Sequence, residues 1–456
     1  MKLFDSKAGA LVDFVPLTPG KVGIYVCGPT VQSAPHVGHL RSAVAFDIIA
    51  RWLRIGHGYD VKLVRNVTDI DDKILVNAEK LGKDWRELAV EVEAGFNEVY
   101  ESIGAGVENA PHATAHIAGM IEVIERLIEK GHAYQAENGS ANVFFDTASH
   151  ASYGELTRQK LENMEGEAIG GGRRAAHDFA LWKAAKPGEP ETASWDSPWG
   201  KGRPGWHIEC SAMTLSELGE SFDIHGGGLD LRFPHHENEL AQSRAAGFEF
   251  ANHWMHNGLV TVSGQKMSKS LGNGVSVEEL FELGTPSAIR YWLASAQYRS
   301  SLDYSPSSLA EAVSAVGRIV NFVRRAQENA STGDVELPQE FVEAMDADFN
   351  VPAALAVLHD TVRVGNTAMD ANDKDAVANA LGAIVRMSDV LGIDLTGNDK
   401  VAPAETIELI DGLIAKRNQA RADKDYALAD LVRAELTAMG VTIEDQAGKT
   451  VWMWSN

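Results

Sequence analysis

The fold is decided by one stretch near the N-terminus, residues 22–53, which reads VGIYVCGPTVQSAPHVGHLRSAVAFDIIARWL. Its first five residues form a short apolar run typical of a buried strand, and the run ends in the turn-forming sequence Cys27-Gly28-Pro29. A helical pattern begins near Gly38 and continues through Trp52 and Leu53. A second β-like run follows at 61–67. Strand, turn, helix and strand predict a βαβ unit in a parallel sheet, with ligands beyond the carboxyl ends of the strands.

The rest of the chain divides by pattern into four predicted parts. The first part is an α/β, Rossmann-type domain with a parallel sheet, made from residues 1–114 and 205–305. Between its halves, 115–204 is an insertion containing a helix over 115–130, a possible short hairpin, and the sequence Gly170-Gly171-Gly172. Apolar residues at helical spacing then predict an α-helical bundle over 306–398. Residues 399–456 are expected to form a small C-terminal domain of further helical pattern with a Trp-rich end.

Composition is that of a folded protein with more than one domain. The chain has 456 residues, of which 45% are hydrophobic and 23% charged, and such a length favours two to four domains. No apolar run is long enough to span a bilayer, so no membrane association is expected. The first residues lack the apolar core of a secretory signal, and two widely separated cysteines do not suggest a disulfide framework. We therefore expect a cytoplasmic protein.

The net charge bears on possible nucleic-acid partners. With 41 Lys and Arg against 64 Asp and Glu, the net charge is −23, which argues against broad, nonspecific nucleic-acid binding. Any such binding must depend on local patches. One candidate patch lies on a predicted helix near the C-terminus, followed by two tryptophans that could stack on unpaired bases; its residues are Lys416, Arg417, Arg421, Lys424, Trp452 and Trp454. A solvated helix face is the alternative interpretation.

The first motif with chemical content is His36-Val37-Gly38-His39. Two imidazoles three residues apart share a helix face, Gly38 permits close approach to the backbone, and a helix N-terminus favours an anion. A triphosphate fits this arrangement. On its own the motif is a weak signal, and two polar residues capping a helix explain it better.

A second motif, Lys266-Met267-Ser268-Lys269-Ser270, is followed by Leu-Gly-Asn. It places two ammonium groups in a short segment flanked by turn-favouring residues. Taken alone it could be a solvated surface loop. Together with the first motif it resembles the two signatures of class I aminoacyl-tRNA synthetases, and this resemblance implies that both motifs hold the ATP phosphates.

Four residues have the chemistry of metal ligands. Cys27 and Cys210 offer thiolates, and His235 and Glu239 are four residues apart and so share a helix face. Together they form a possible zinc site with two sulfur, one nitrogen and one oxygen ligand. His236 could replace His235. The alternative is two buried free cysteines that behave as small hydrophobic residues, with a histidine satisfied by hydrogen bonds.

Five segments together resemble the cysteinyl-tRNA synthetases, in the class I aminoacyl-tRNA synthetase family. They are CGPTVQSAPHVGH (27–39), NVTDIDDKIL (66–75), GWHIECSAM (205–213), HGGGLDLRFPHHENE (225–239) and KMSKSLGN (266–273). The resemblance implies that L-cysteine reacts with Mg²⁺-ATP to give cysteinyl-adenylate and pyrophosphate. Cysteine then passes to the 3′ end of tRNA(Cys). It also implies one Zn²⁺ per chain that selects the substrate thiolate, and no editing domain.

The resemblance assigns roles residue by residue. Catalysis would fall to His36, His39, Lys266 and Lys269. The ATP or adenylate contacts would be Gly28, Thr30, His36, Gly38, His39, His225, Gly226, Gly227, Asp230 and Lys269, with the three glycines 226–228 in a loop around the adenylate. Thr68 and Trp206 would line the cysteine pocket. The zinc ligands would be Cys27, Cys210, His235 and Glu239. The bundle and the C-terminal domain would bind tRNA, the latter at the anticodon, and a monomer is expected.

The chain departs from the family pattern at two places. Gln32 and Ser33-Ala34-Pro35 replace the aromatic and acidic stretch that many relatives carry before HVGH. Met453 follows Trp452 where a basic residue is common. Neither change removes a catalytic group, and we assign no individual anticodon contacts.

Two other functions remain open at this stage. Cysteine ligases of mycothiol biosynthesis resemble this fold, keep zinc and both motifs, and join cysteine to glucosaminyl-inositol; they generally lack a full anticodon-binding end, so residues 400–456 favour tRNA. A noncatalytic tRNA-binding paralogue is disfavoured by the intact motifs and zinc ligands.

Overall fold

The computed structural model describes residues 1–164, 170–266, 274–328, 330–396, 404–446 and 449–454. The chain forms two compact units, which are treated separately below. The first unit comprises Met1–Val260, Ala296–Leu302 and Gln339–Ala354, and the second comprises Thr261–Ser295, Asp303–Pro338 and Leu355–Asn456.

The described strands are β1 Lys2–Asp5, β2 Ala10–Asp13, β3 Lys21–Val26, β4 Asp60–Arg65, β5 Ala133–Gln135, β6 Val143–Phe145, β7 Phe179–Ala184, β8 Gly202–Pro204, β9 Ser221–Gly228, β10 Phe250–Asn257, β11 Val260–Val262, β12 Gln265–Lys266, β13 Leu302–Tyr304, β14 Val441–Gln446 and β15 Lys449–Trp454. The described α-helices are α1 Val37–Ile55, α2 Asp72–Leu81, α3 Trp85–Ser102, α4 Ile117–Glu129, α5 Trp206–Leu218, α6 Glu237–Ala246, α7 Val277–Leu283, α8 Pro286–Ala294, α9 Pro306–Gln327, α10 Gln339–Asp346, α11 Val351–Asp370, α12 Lys374–Leu391, α13 Ala404–Ala422 and α14 Tyr426–Ala438.

A four-stranded parallel sheet in the order β10-β9-β3-β4 forms the centre of the first unit. The chain leaves β3, crosses through α1 and returns in β4 on one side, whereas β9 and β10 add on the other side of β3. The strand order therefore reverses between β3 and β9, and such a switch point is where α/β sheets bind ligands. The predicted Rossmann-type fold class is confirmed.

Helix α1 follows the turn after β3, as its apolar spacing predicted. Leu40, Val44, Ile48 and Trp52 recur at intervals of four, and all are buried, so one helix face packs into the core. The helix begins directly after His36, whose backbone N–H donates to Nδ1 of His39 at 3.2 Å. The first signature motif therefore occupies the first turn of a helix.

The insertion holds more β-structure than the sequence indicated. Strands β5 to β8 form a four-stranded antiparallel sheet in sequence order, where we predicted only a possible short hairpin. Strands β5, β6 and β8 have three residues each, too few for an alternating pattern to be visible in the sequence. The predicted helix over 115–130 is present as α4.

The predicted glycine loop at 226–228 is wrong, because these residues belong to strand β9. Gly226 pairs with Val26 on one side and Met255 on the other. A Cβ atom at Gly226 would lie 2.1 Å from the Phe46 ring. The glycine is therefore needed for helix α1 to pack on the sheet, in addition to any ligand it approaches.

The second unit is mainly helical after residue 305, as predicted. The single helical pattern expected over 407–439 is two helices, α13 and α14, separated where Lys424 has a φ of +61°. The two helices and hairpin β14-β15 share a small core that includes Ile410, Val432, Leu436 and Val441. Among the described residues, no helix is both long and apolar enough to cross a membrane.

Candidate active site and metal centre

Four of the predicted ligands come together beside the switch point of the sheet. The Sγ atoms of Cys27 and Cys210 are 3.7 Å apart, and Sγ of Cys27 lies 3.4 Å from Oε1 of Glu239. His235 Nε2 lies 3.5 Å from Sγ of Cys210 and 3.0 Å from the same Glu239 oxygen. All four ligand atoms lie within 4.8 Å of one another.

These distances are those of a tetrahedral zinc site. With Zn–S bonds of about 2.3 Å and Zn–N or Zn–O bonds of about 2.0–2.1 Å, a tetrahedron requires about 3.8 Å between sulfurs. The same bond lengths require about 3.5 Å from sulfur to nitrogen or oxygen and about 3.3 Å from nitrogen to oxygen. The distances in the cluster follow this order: 3.7 Å between the sulfurs, 3.5 Å from sulfur to nitrogen, 3.4 Å from sulfur to oxygen, and 3.0 Å from nitrogen to oxygen. The donor set therefore fits zinc in both chemistry and shape.

Each ligand is placed by a different element of the fold. Cys27 directly follows β3, where its backbone N–H donates to the Gly226 carbonyl at 3.1 Å. Cys210 lies in the first half of α5, and Glu239 lies in the first turn of α6. His235 precedes α6 and lies four residues before Glu239, with its Nε2 3.0 Å from Oε1 of that residue. The parallel sheet and two helices thus bring together residues that are far apart in sequence.

A surrounding shell of side chains holds the ligands in orientation. His225 Nε2 lies 2.7 Å from Oε2 of Glu239, the oxygen that faces away from Cys27 and His235. His207 Nδ1 is 2.9 Å from His235 Nδ1, and Trp206 stacks on the His235 ring with centroids 3.9 Å apart. Such partners fix tautomer and ring orientation in metal sites.

Without a cation, burial keeps the cluster in its neutral protonation states. Burial, followed by the neighbouring Cys210, raises the pKa of Cys27 well above its usual value, and burial also raises the pKa of Cys210. Burial raises the pKa of Glu239 to about 7 and lowers the pKa of His235 well below its usual range. A bound dication would reverse the preference of the thiols and the carboxyl, since metal ligands bind deprotonated.

A second set of ligand atoms overlaps the first. Cys27, His225, His236 and Glu239 also lie within 4.8 Å of one another. This set contains one thiolate, whereas the set with His235 contains both. Because zinc favours thiolate ligands, we retain the predicted set with His235 and do not adopt the alternative with His236.

The HVGH residues form a compact pair of imidazoles. The rings of His36 and His39 stack with centroids 3.7 Å apart, and His39 also contacts the edge of Phe96. Burial, followed by the charge of His36, lowers the pKa of His39 to about 3. The lowered pKa favours the neutral imidazole of His39, which can donate one hydrogen bond.

The predicted cysteine contacts lie beside the metal cluster. Thr68 is buried next to the end of β4 and pairs through its backbone with Thr30. Its Oγ1 donates to Oε2 of Glu209 at 3.0 Å. Trp206 starts α5 and lines a cavity of about 450 Å³ together with Thr30. Glu209 was missed by the sequence analysis; the available signal was a carboxylate next to Cys210 in an apolar helix segment.

Other predicted adenylate contacts are dispersed around the sheet edge. The Gly28 N–H donates to Oδ1 of Asn66 at 2.9 Å. Asp230 is exposed in a short turn after β9. The His225 side chain is fully buried behind the cluster and stacks on Trp254, so its ring does not face an open surface. Its assigned adenylate contact, like the others, stays a prediction.

The KMSKS segment lies largely outside the described residues. Lys266 is the last residue of strand β12, and its backbone pairs with Thr261 of β11. Its side chain, and Lys269 with the rest of 267–273, are outside the described part of the chain, so their catalytic roles stay predictions.

The predicted basic patch near the C-terminus is smaller than the sequence suggested. Arg417 is buried, and its two Nη atoms each lie 2.8 Å from a different carboxylate oxygen of Asp445. Arg421 also contacts Asp445. Lys416 and Lys424 are exposed. The pairing with Asp445 removes Arg417 from the set of free phosphate contacts.

Family models cover most of the chain. The model for the class I (C) tRNA synthetase catalytic domain matches residues 13–314. The DALR domain model matches 340–396, and the model for a cysteinyl-tRNA ligase anticodon binding domain matches 408–452. The domain boundaries predicted from sequence stay predictions.

Curated relatives are similar over nearly their whole length. A cysteine–tRNA ligase of Clavibacter michiganensis subsp. michiganensis is 53% identical, with 99% of both chains covered. The cysteine–tRNA ligase of Leifsonia xyli subsp. xyli is 52% identical at the same coverage.

Solved structures support the fold alone. Mycobacterium tuberculosis methionyl-tRNA synthetase with methionyl-adenylate matches with a TM-score of 0.57 and 17% identity, covering 82% of this chain and 90% of that one. The Agrobacterium radiobacter K84 LeuRS complex with tRNA and LeuAMS matches with a TM-score of 0.62 and 12% identity, covering 86% of each chain. From the family models and the curated relatives together, the chain belongs to the cysteinyl-tRNA synthetase family of class I aminoacyl-tRNA synthetases.

Proposed function

We propose that the protein activates L-cysteine with Mg²⁺-ATP and transfers it to the 3′ end of tRNA(Cys), using zinc to select the substrate by its sulfur. The observation that carries this proposal is the tetrahedral arrangement of Cys27, Cys210, His235 and Glu239 at the switch point of the sheet. The whole-length similarity to cysteine–tRNA ligases supports the same function.

Zinc bound by these four residues would supply a soft Lewis acid that bonds a thiolate in preference to a hydroxyl. Thr68 and Trp206 would flank the bound amino acid. A site built around one specific polar contact can discriminate by about 10⁴–10⁵ without editing. Serine should therefore be rejected at the activation step.

Activation depends on positioning and charge. The amino-acid carboxylate attacks the α-phosphate in line, and pyrophosphate leaves. His36 and His39 lie at a helix N-terminus, where backbone N–H groups favour an anion, and neutral His39 can donate a hydrogen bond. By resemblance to the family, Lys266 and Lys269 would supply positive charge for the leaving pyrophosphate, with Lys269 the larger contributor.

The tRNA would be bound by the helical bundle, residues 306–398, and by the C-terminal domain, residues 399–456. The matches to the DALR and anticodon-binding models over 340–396 and 408–452 support this assignment. They also disfavour glucosaminyl-inositol as the acceptor, since ligases of that kind generally lack a full anticodon-binding end. We further propose that the enzyme works as a monomer in the cytosol.

The test is ATP–pyrophosphate exchange with cysteine, with serine, and with cysteine after zinc removal, alongside charging of purified tRNA and of glucosaminyl-inositol. We expect zinc-dependent exchange with cysteine, none with serine, and charging of tRNA. Exchange with transfer only to the amino-sugar would identify the mycothiol-type ligase. Absence of exchange would leave a noncatalytic tRNA-binding protein.

A further inference from the structure

Glu209 is a buried carboxylate in the first turn of α5, next to the zinc ligand Cys210. It is 1% exposed. Its Oε2 accepts a hydrogen bond from Oγ1 of Thr68 at 3.0 Å. Within the described residues this hydroxyl is the one hydrogen-bond partner of the carboxylate, and no lysine or arginine forms an ion pair with it.

The charged groups near Glu209 are mainly acidic. Asp69 and Asp71 are the nearby anions, and Lys183 is the nearby cation. The ammonium of Lys183 is already paired with Asp72 at 2.8 Å. A carboxylate taken out of water is costly unless it is paired and hydrogen-bonded, so a bound cation would be stabilised here.

Glu209 is also linked to the metal cluster through Thr68 and Asn66. Thr68, its hydrogen-bond partner, accepts from Nδ2 of Asn66 at 3.3 Å, and Oδ1 of Asn66 lies 3.8 Å from Sγ of Cys210. Trp206 is three residues before Glu209 and so shares its helix face. One residue assigned to the cysteine pocket, Thr68, therefore contacts this carboxylate, and the other, Trp206, lies one helical turn before it.

A cysteine held through its sulfur places its ammonium group only three bonds from the metal-bound atom. We propose that the Glu209 carboxylate, oriented by Thr68, binds the α-ammonium group of the substrate cysteine. This inference rests on the proposed function and adds a second anchor to it. Anchors at the sulfur and at the ammonium direct the carboxylate of the substrate cysteine towards the α-phosphate of ATP. They also reject thiols that lack an α-amine.

The test compares three thiols that differ in one group each. L-cysteine has both the ammonium and the carboxylate, cysteamine keeps only the ammonium, and 3-mercaptopropionate keeps only the carboxylate. For wild type and Glu209→Gln, we would measure the KM for cysteine and the inhibition constants of the other two thiols in ATP–pyrophosphate exchange. The matched control is Glu217→Gln in the same helix, where the carboxylate pairs with Lys62.

Glu209→Gln should raise the KM for cysteine and the inhibition constant of cysteamine by about 10- to 100-fold, because a charge-assisted hydrogen bond is lost. Binding of 3-mercaptopropionate should change by less than about 3-fold, a difference too small for a lost charged contact. Zinc content, measured by metal analysis, should equal that of wild type. Glu217→Gln should leave all three constants unchanged.

Two results would overturn the inference while the proposed function stands. One is equal weakening of all three thiols, which would mean that Glu209 only supports the local structure. The other is an unchanged KM for cysteine in Glu209→Gln. If the wild-type enzyme itself fails to exchange with cysteine, the proposed function is wrong and the inference falls with it.

Discussion

Replacing His225 with Phe is expected to weaken zinc binding without removing a zinc ligand. The His225 imidazole is fully buried, and its Nε2 lies 2.7 Å from Oε2 of Glu239. The other oxygen of Glu239 faces Cys27 and His235. Phe keeps the ring that stacks on Trp254 at a centroid distance of 4.6 Å, so the substitution removes mainly this hydrogen bond.

The magnitude follows from the burial of both groups. Removing an outer-shell partner of a metal ligand typically costs about 10- to 100-fold in affinity, which corresponds to about 1.4–2.7 kcal/mol. Glu239 is completely buried, so no water replaces the lost donor and an unsatisfied buried acceptor costs about 1–3 kcal/mol. We therefore expect the dissociation constant for zinc to increase by a factor nearer to about 100 than to about 10.

The assay is competition for zinc between the protein and a chromophoric chelator at fixed pH and ionic strength. His253→Phe is the matched control. His253 is a mostly buried histidine on the neighbouring strand β10, and its Nδ1 lies 3.3 Å from Asp5. That pair does not touch the cluster, so its loss should leave zinc affinity within about 2-fold, the range expected for a change that removes no outer-shell contact.

Unchanged zinc affinity in His225→Phe would refute the reasoning, since Glu239 would then be held without the imidazole. An equal loss in His253→Phe would refute it as well, because the effect would then reflect general damage to the sheet.

Three further changes test other parts of the structure and mechanism. Lys269→Ala should lower ATP–pyrophosphate exchange by about 10²–10³-fold; activity within a few-fold of wild type would contradict its role. Gly226→Ala should destabilise the protein by about 1–3 kcal/mol, measured by denaturant unfolding, because the new Cβ meets the Phe46 ring. Adding Phe46→Leu to this variant should recover part of the lost stability. Asp348→Ala should cost about 1–3 kcal/mol in the same measurement, because its buried carboxylate accepts hydrogen bonds from Tyr298 and other donors; a smaller loss would show that these donors find other partners.

Local patterns in the sequence predicted the elements that frame the site. Helix α1 and strands β3 and β4 were expected because periodicity and turn residues act within one segment. The insertion was less predictable, since strands of three residues carry no period. Gly226 was assigned to a loop around the adenylate from the family resemblance; in the structure it lies in β9, where Phe46, a residue 180 positions away, packs too closely for a side chain.

Residue types and local patterns are enough to predict the Rossmann-type fold class, the family and the chemistry of the groups at the site. Two thiols, adjacent histidines, a carboxylate and the two signature motifs are properties of the residues, so they are visible without coordinates. Which of these groups meet depends on the three-dimensional packing of the chain. The register of β3 against β9, and the packing of α5 and α6, bring the thiols to His235 and Glu239. The same packing turns His225 towards Glu239 and leaves Glu209 beside Thr68. These contacts join residues far apart in the chain, and no local preference encodes them.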